Sequence, residues 1–380
     1  MRLGFVTCFD IRAYPPLVRL FRELESRKVS FQWTNIPSPQ FEGMGPLSVG
    51  EGSEVPYAKE KWRRLLSRIY YFVRFLVAHG KHPFDRMIVV DHASATLGLL
   101  LHSVIRIPLL LIEFDHPKFV PGLYGKFQEW VYRRLSMAAD LVCFPSEARH
   151  KLFEASLHLK VPAVILPNFP SKEESLGVTA IPPFKKDSVL ILYYQGSFVP
   201  SRIPFALIDA MKIFSHCRLK ICAVTPDFPG GDEYQREFQS RAESLGLGER
   251  IHWLPLSMIE KLSELGAGCH VGVLFFNEKG KDSSNQKSMW GASNKVPQYA
   301  SFGLALLVSS HEEELRENTK EISQFCDGEN PESIAKALEE LFNSPERLNE
   351  MRRRARELAT TKWTYERALQ TSSLLQWLGI

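Results

Sequence analysis

The stretch Ser293-Asn-Lys-Val-Pro-Gln-Tyr, closed by Gly303 and followed by an apolar run over 304–308, places a lysine at the start of a short expected helix. The Asn294 side-chain oxygen is of a kind that accepts from a free amide one turn on. Pro297 falls early, where a missing N–H costs nothing, and Gly303 supplies the left-handed residue that ends a helix. The free amides of a helix start carry a partial positive charge, and the Lys295 ammonium adds a full one. Together they describe an anion site, with phosphate the usual anion. A capped helix start with a solvated lysine has the same spacing, and spacing alone favours it. A second constellation is Gly196-Ser197 with Arg202 six residues after the glycine. Glycine lets a backbone approach a phosphate closely, and arginine grips two phosphate oxygens at once. In isolation the pattern carries no weight, and a surface arginine beginning a helix is the plain reading. A third is Asp115-His116, at the end of an apolar run. Histidine donates or accepts at neutral pH and the aspartate is placed to orient or charge it, although a lone Asp-His is more often a plain loop pair.

The elements that must hold these residues follow one rhythm. Strands are expected over 3–8, 29–34, 87–91, 108–114, 140–146 and 164–168, and helices over 15–28, 58–79, 94–105 and 124–138. Strand, helix, strand in alternation means a parallel sheet with helices on its faces. The segment 172–188, with Gly177, Pro182, Pro183, Lys185 and Lys186, reads as an interdomain linker. The rhythm then restarts with strands over 189–194, 219–224, 250–254, 270–276 and 304–308. The expected fold is α/β, with two Rossmann-like doubly wound parallel-sheet domains facing across a cleft. Their limits are 1–180 and 181–362, and a C-terminal helix over 363–380 returns to the first. Ligands in such sheets sit at the carboxyl ends of the strands. The loop over 9–15, after the first strand, lacks a glycine-rich fingerprint, which argues against NAD or FAD. Segments 36–57 and 277–292 read as irregular polar loops.

Composition narrows the class. The chain has 380 residues, 44% hydrophobic and 24% charged, enough for two ordinary cores. A net charge of +4 is too weak to argue for nucleic acid. Six cysteines without a Cys-x-x-Cys pair fit buried free thiols in a reducing compartment. The first apolar run is short and ends in Asp10 and Arg12, unlike a signal peptide. The run over 97–114 is broken by His102, Arg106 and Pro108 and is too interrupted to span a bilayer. These features predict a cytoplasmic protein. In the helix over 58–79, Lys61, Arg64, Arg68 and Arg74 fall near one face, with Trp62, Ile69, Phe72 and Val73 elsewhere. Packing on the sheet is the plain reading of it, and peripheral contact with the inner face of a membrane stays open.

Taken together, these stretches resemble the GT-B glycosyltransferases related to family 4. Ser293, Asn294, Lys295, Tyr299, Gly303 and Ser309 match that family's Asn-Lys-x-x-Glu-Tyr-x-x-x-Gly-x-Pro-x-x-x-Ser segment, with Gln298 for Glu and Ala305 for Pro. Gly196 and Arg202 match its glycine and basic residue, with Ile203 for the final glycine, and His116 matches a histidine near the donor sugar. Asp140, Ser146, Glu147 and Asn168 follow its first-half pattern, and 331–338 and Trp363 its closing helices. The resemblance implies metal-independent transfer of a sugar from a nucleoside diphosphate sugar to a hydroxyl of a glycan or lipid-linked glycan, in cell-surface glycan biosynthesis. It makes His116, Arg202 and Lys295 catalytic. It gives donor binding to Gly196, Ser197, Leu254, Ser293, Asn294 and Gln298, and implies no metal, no cofactor and no nucleic acid. The family also carries two glutamates with seven residues between them; here those positions are Trp290 and Gln298. That departure leaves open an inert scaffold, or a sugar-nucleotide epimerase of the same architecture.

Overall fold

The computed structural model describes residues 1–38, 49–54, 61–117, 119–176, 181–224, 231–257, 261–276 and 288–380. Most of the expected loop over 36–57 and of the polar run over 277–292 lies outside the described residues. The chain forms two compact units, Met1–Asn168 with Arg367–Ile380, and Phe169–Glu366.

The first unit runs β1 (Arg2–Val6), α1 (Pro15–Ser26), β2 (Ser30–Asn35), β3 (Glu51–Glu54), α2 (Lys61–Lys81), β4 (Arg86–Val90), α3 (Ala95–Ile105), β5 (Leu109–Ile112), α4 (Leu123–Ala138), β6 (Leu141–Phe144), α5 (Glu147–Leu157) and β7 (Ala163–Ile165). The sheet order is β3-β2-β1-β4-β5-β6-β7, and neighbouring strands pair in parallel. Strands β5 and β6 are apolar and buried at every position, as a parallel sheet covered on both faces requires. Right-handed crossovers set α1 on one face and α2 to α5 on the other; α2 packs on α3, and α3 on α4. Tyr71 fixes α2 to the sheet: its buried hydroxyl donates to the Phe5 carbonyl (2.8 Å) and accepts the Thr7 amide (3.2 Å).

The second unit runs α6 (Lys172–Leu176), β8 (Leu190–Ser197), α7 (Phe205–Ile213), β9 (Cys217–Val224), α8 (Gly231–Ser244), β10 (Ile251–Trp253), α9 (Leu262–Gly266), β11 (Val271–Phe275), α10 (Lys295–Ser301), β12 (Ala305–Ser309), α11 (Glu313–Thr319), β13 (Ser323–Phe325), α12 (Pro331–Phe342) and α13 (Pro345–Thr361). Helices α14 (Tyr365–Thr371) and α15 (Leu374–Leu378) end the chain. The sheet order is β10-β9-β8-β11-β12-β13. In both sheets the direction of winding reverses once, beside β1 and β4 in the first and beside β8 and β11 in the second; ligands of such sheets sit at that crevice.

The expected boundary at 180 moves to Asn168/Phe169. The reason is packing: Phe169 stacks on Trp363 with ring centroids 6.5 Å apart, and α6, inside the expected linker, packs on α10 and α13. The returning segment likewise begins at Arg367 rather than 363, because Trp363 and Tyr365 are buried and the Tyr365 amide donates to the Pro170 carbonyl (2.8 Å).

Two glycines decide where α10 lies. A Cβ on Gly272, in β11, would sit 2.3 Å from Tyr299 Cδ2, so the bare backbone is what admits that ring onto the sheet. The Tyr299 hydroxyl then accepts the Gln195 amide of β8 (2.9 Å). At the far end, Gly303 has φ +70°; its amide donates to the Ala300 carbonyl (2.9 Å) and that of Leu304 to Tyr299 (3.0 Å), the paired bonds of a glycine-closed helix. Buried Arg352 of α13 donates to the carbonyls of Gly303 (3.1 Å), Pro182 (2.8 Å) and Cys269 (3.4 Å), tying that turn to the edge of the unit.

Replacing Gly272 by alanine is expected to destabilise the second unit by about 1–3 kcal/mol, the usual effect of overfilling a packed core. Urea unfolding measures it. Gly80→Ala is the control: nothing lies within 4 Å of a Cβ there, and the change is expected to be neutral or stabilising by less than about 1 kcal/mol.

Candidate functional site

At the reversal point of the second unit, β8 ends in Gln195, Gly196 and Ser197, and Gly196 has φ +114°, a conformation closed to side chains. A Cβ there would lie 2.7 Å from Lys295 Cε and 3.2 Å from its Nζ. The lysine therefore occupies the space that the glycine leaves. Its ammonium stands 4.7 Å from the centre of the Tyr194 ring and 3.4 Å from the Tyr194 hydroxyl, which itself donates to the Ser197 carbonyl (2.5 Å). Arg202, in the turn before α7, lays its guanidinium over Phe276 at 4.4 Å, with Nη2 3.9 Å from Met289 Sδ. Burial, and then the Arg202 charge, hold the Lys295 ammonium well below its ordinary pKa. The same guanidinium acts on buried Tyr194, whose phenol burial pushes up. Both cations thus gather around Tyr194, and among the described residues no carboxylate pairs with Lys295.

The other expected donor contacts divide. Ser293 joins this corner, because its hydroxyl accepts the Lys295 amide (3.3 Å). Asn294, expected to cap α10, is itself helical (φ −64°, ψ −26°) and makes no side-chain cap; the serine one residue earlier has taken that role. Gln298, expected at the ribose, is 3% exposed, and its Oε1 accepts from Gln195 Nε2 (2.5 Å). It braces β8 and is turned into the protein, since an amide finds a neutral partner where a carboxylate would need solvent or a cation. Leu254 lies past β10, two strands from β8, with its amide on the Ile221 carbonyl (2.7 Å). Trp290 packs against Trp363 (5.3 Å) and Phe169 (6.2 Å), while its amide and that of Met289 donate to the buried Glu312 carboxylate (3.0 and 2.7 Å).

His116 follows β5 in the first unit and is half-buried. Asp115, expected to orient or charge it, instead makes an ion pair with buried Arg149 (3.8 Å). Two carboxyl groups there escaped the sequence reading. Asp91 follows β4 at φ +56°, a strained value for a residue with a side chain. Its carboxyl accepts the Phe114 amide (2.7 Å) and hydrogen-bonds the Tyr14 hydroxyl. Burial, then neighbouring Asp115, raise it to about 8. Glu113 is fully buried and accepts from the Tyr132 hydroxyl; burial and Asp91 push it well above the carboxylate range. The available signal was an acid at the carboxyl end of each of two apolar strands.

No family model matches the chain, and no curated protein does. Solved structures resemble it over its whole length. Sucrose-phosphate synthase from Thermosynechococcus elongatus is 13% identical, with 100% of this chain and 99% of that one covered and a TM-score of 0.73. Anabaena HepE in complex with UDP-glucose is 13% identical, with 100% and 99% covered and a TM-score of 0.70. An α,α-trehalose-phosphate synthase (UDP-forming) from Burkholderia xenovorans, in complex with glucose-6-phosphate, is 10% identical, with 100% of both covered and a TM-score of 0.69. Likeness at such identities is likeness of fold: the chain has the GT-B fold of two Rossmann-like parallel-sheet domains.

Because Asp91 holds its proton more tightly folded than unfolded, its contribution is complete below about 4 and declines as pH climbs towards about 8. Asp91→Asn keeps an acceptor for the Phe114 amide and removes that decline. The stability of the variant relative to wild type, from urea midpoints, is expected to rise between pH 5 and about 8 and to level off above that. A constant difference would mean that Asp91 titrates as an ordinary carboxylate.

Proposed function

We propose that the chain is a glycosyltransferase related to family 4. It would move a sugar from a nucleoside diphosphate sugar to a hydroxyl of a glycan or lipid-linked glycan, in the cytoplasm at the inner face of a membrane. The observation that carries this reading is Lys295 over Tyr194 beside the bare backbone of Gly196, with Arg202 over Phe276 near enough for its charge to act on both. Two like charges in a half-dry corner repel each other, and a bound diphosphate relieves both. When the sugar–phosphate bond breaks, negative charge grows on the leaving diphosphate; preset cations stabilise it as it forms. Supplying that charge from side chains makes a metal unnecessary, so a chelator should leave the rate unchanged. His116, in the first unit, would touch the donor sugar or the acceptor hydroxyl. UDP-sugars are the first donors to try, since HepE has been solved in complex with UDP-glucose and the trehalose-phosphate synthase is UDP-forming.

Arg202→Ala and Lys295→Ala are each expected to cut transfer by ~100-fold, the scale of losing one charge-stabilising donor; turnover like wild type in either variant rejects the assignment. Binding also has a proton signature. A diphosphate raises the depressed pKa of Lys295, so UDP binding is expected to take up a proton and to weaken as pH rises. Calorimetry in buffers of differing ionisation heat reads that uptake directly.

A second reading is favoured by one observation: both positions of the missing carboxylates have been absorbed into packing, Trp290 into an aromatic cluster and Gln298 into a brace for β8. On that reading the chain is a scaffold without catalysis, and neither UDP, GDP nor their sugars bind at millimolar concentration. Release of an altered sugar nucleotide without any acceptor would instead mark an epimerase.

A further inference from the structure

Helices α2, α3 and α4 lie side by side on one face of the first unit's sheet, and each turns apolar side chains outward. On α2, Ile69, Val73 and Val77 recur one turn apart, each 51% exposed. Val104 of α3 is 61% exposed, and on α4 Phe127 (51%) and Trp130 (53%) stack on each other at 6.1 Å. Helices that pack on a sheet in water normally show polar outer faces. Exposed apolar side chains repeated over three neighbouring helices are the signature of an interaction surface.

Charge identifies the occupant. Over 66–81, 95–105 and 123–138 the sequence holds Arg68, Arg74, Lys81, Lys126, Arg133 and Arg134 against a single acid, Glu129. The whole chain is nearly balanced, with 47 basic and 43 acidic residues. Aromatic and basic side chains are also paired: the Arg74 guanidinium lies 5.5 Å from the Tyr70 ring, and that of Arg134 5.9 Å from the Trp130 ring. Tyr and Trp with flanking Lys and Arg suit the boundary between lipid headgroups and acyl chains. A second copy docked face to face would set these cations against one another, Arg133 aside, whose guanidinium donates to the Leu157 carbonyl. Between α2 and α3 there is also an apolar cavity of about 380 Å³, lined by Ile69, Phe72, Leu97 and Leu100 with exposed Arg68. An acyl chain fits its lining, and a lipid phosphate suits Arg68.

We propose that this three-helix face docks the chain on an anionic phospholipid bilayer, with the helices lying along its surface. No helix among the described residues is long and apolar enough to cross a membrane. The proposal rests on the membrane placement in the proposed function and gives it a surface, but it uses none of the residues assigned to the transfer site, so vesicle binding and UDP binding can fail separately.

Co-sedimentation with vesicles tests it. The full chain is expected to bind vesicles of phosphatidylcholine with 30 mol% phosphatidylglycerol at least tenfold better than phosphatidylcholine alone, less so as salt rises. Val73→Glu with Trp130→Glu is expected to abolish binding while the melting temperature stays unchanged, since both residues are exposed. Arg74→Gln with Arg134→Gln should remove the preference for anionic vesicles and leave UDP calorimetry as in wild type. Absence of vesicle binding, equal binding to both compositions, or wild-type binding by either pair overturns the proposal. So does a dimer in light scattering that Val73→Glu with Trp130→Glu splits, without any vesicle binding, for then the face belongs to a second copy.

Discussion

One ammonium group held against one ring governs the arrangement of the second unit. Lys295 lies over Tyr194 only because Gly196 has no side chain and because α10 is pinned in a single position. Tyr299 does the pinning from inside, crossing Gly272 to reach the Gln195 amide. Gly303 and Arg352 do it from the far end. An exposed cation over an aromatic ring gains about 0.5–1 kcal/mol, and more when it is partly dry. Arg202 is near enough that its charge, after burial, also holds the lysine's pKa down. The native contacts around α10 therefore sustain a charge arrangement that would relax if the helix were free to shift. Groups kept in place against their own repulsion are already arranged for an anion, and little reorganisation is left for the moment of binding.

The two positions at which the family resemblance would place carboxylates are both filled by other groups. At 290 the chain has a tryptophan whose ring closes a cluster with Phe169 and Trp363, and whose amide rests on Glu312. At 298 a glutamine bonds its neighbour across the strand end. Each replacement exchanges a group that needs water or a cation for one that is satisfied by the protein itself. The segment leading into α10 is anchored by this exchange.

Much of this was legible in the chain because parallel strands buried on both faces are unbroken apolar runs. Leu109–Ile112 and Ala305–Ser309 announce themselves, and the glycine that ends α10 fixes its length. Strand β3 was not legible: Glu51–Glu54 reads Glu-Gly-Ser-Glu, and it pairs at the sheet edge through backbone alone. Helix α6 hid among charged and proline-rich residues because its place depends on contacts with α10 and α13. At the site, Lys295, Gly196 and Arg202 could be paired from spacing and resemblance, since the strand–loop–helix order brings them to one end of the sheet. Choosing Ser293 over Asn294 as the cap depends on a backbone angle that no residue type dictates. Asp91 was missed for a related reason: an acid after a strand is ordinary, and only three-dimensional burial beside Glu113 and Asp115 makes it unusual.

The two sheets share a winding order and a reversal point, yet they collect different groups there, basic in one and carboxyl in the other. The second unit gathers Arg202 and Lys295, and desolvation works against the charged form of the lysine. The first gathers Asp91 and Glu113, with Asp115 beside them, and desolvation works against the charged forms of the buried pair. A phosphate answers the one. The other is answered by groups that donate hydrogen bonds without carrying charge, as Tyr14 and Tyr132 already do. Sugar hydroxyls are donors of that kind, and a carboxyl near its own pKa can both accept such a bond and exchange a proton with it. A nucleoside diphosphate sugar and an acceptor hydroxyl divide along the same line, anionic at one end and neutral but proton-bearing at the other. On the proposed reading, this contrast of two similar folds is the chemical reason to look for the donor's phosphates in the second unit and for hydroxyl chemistry in the first.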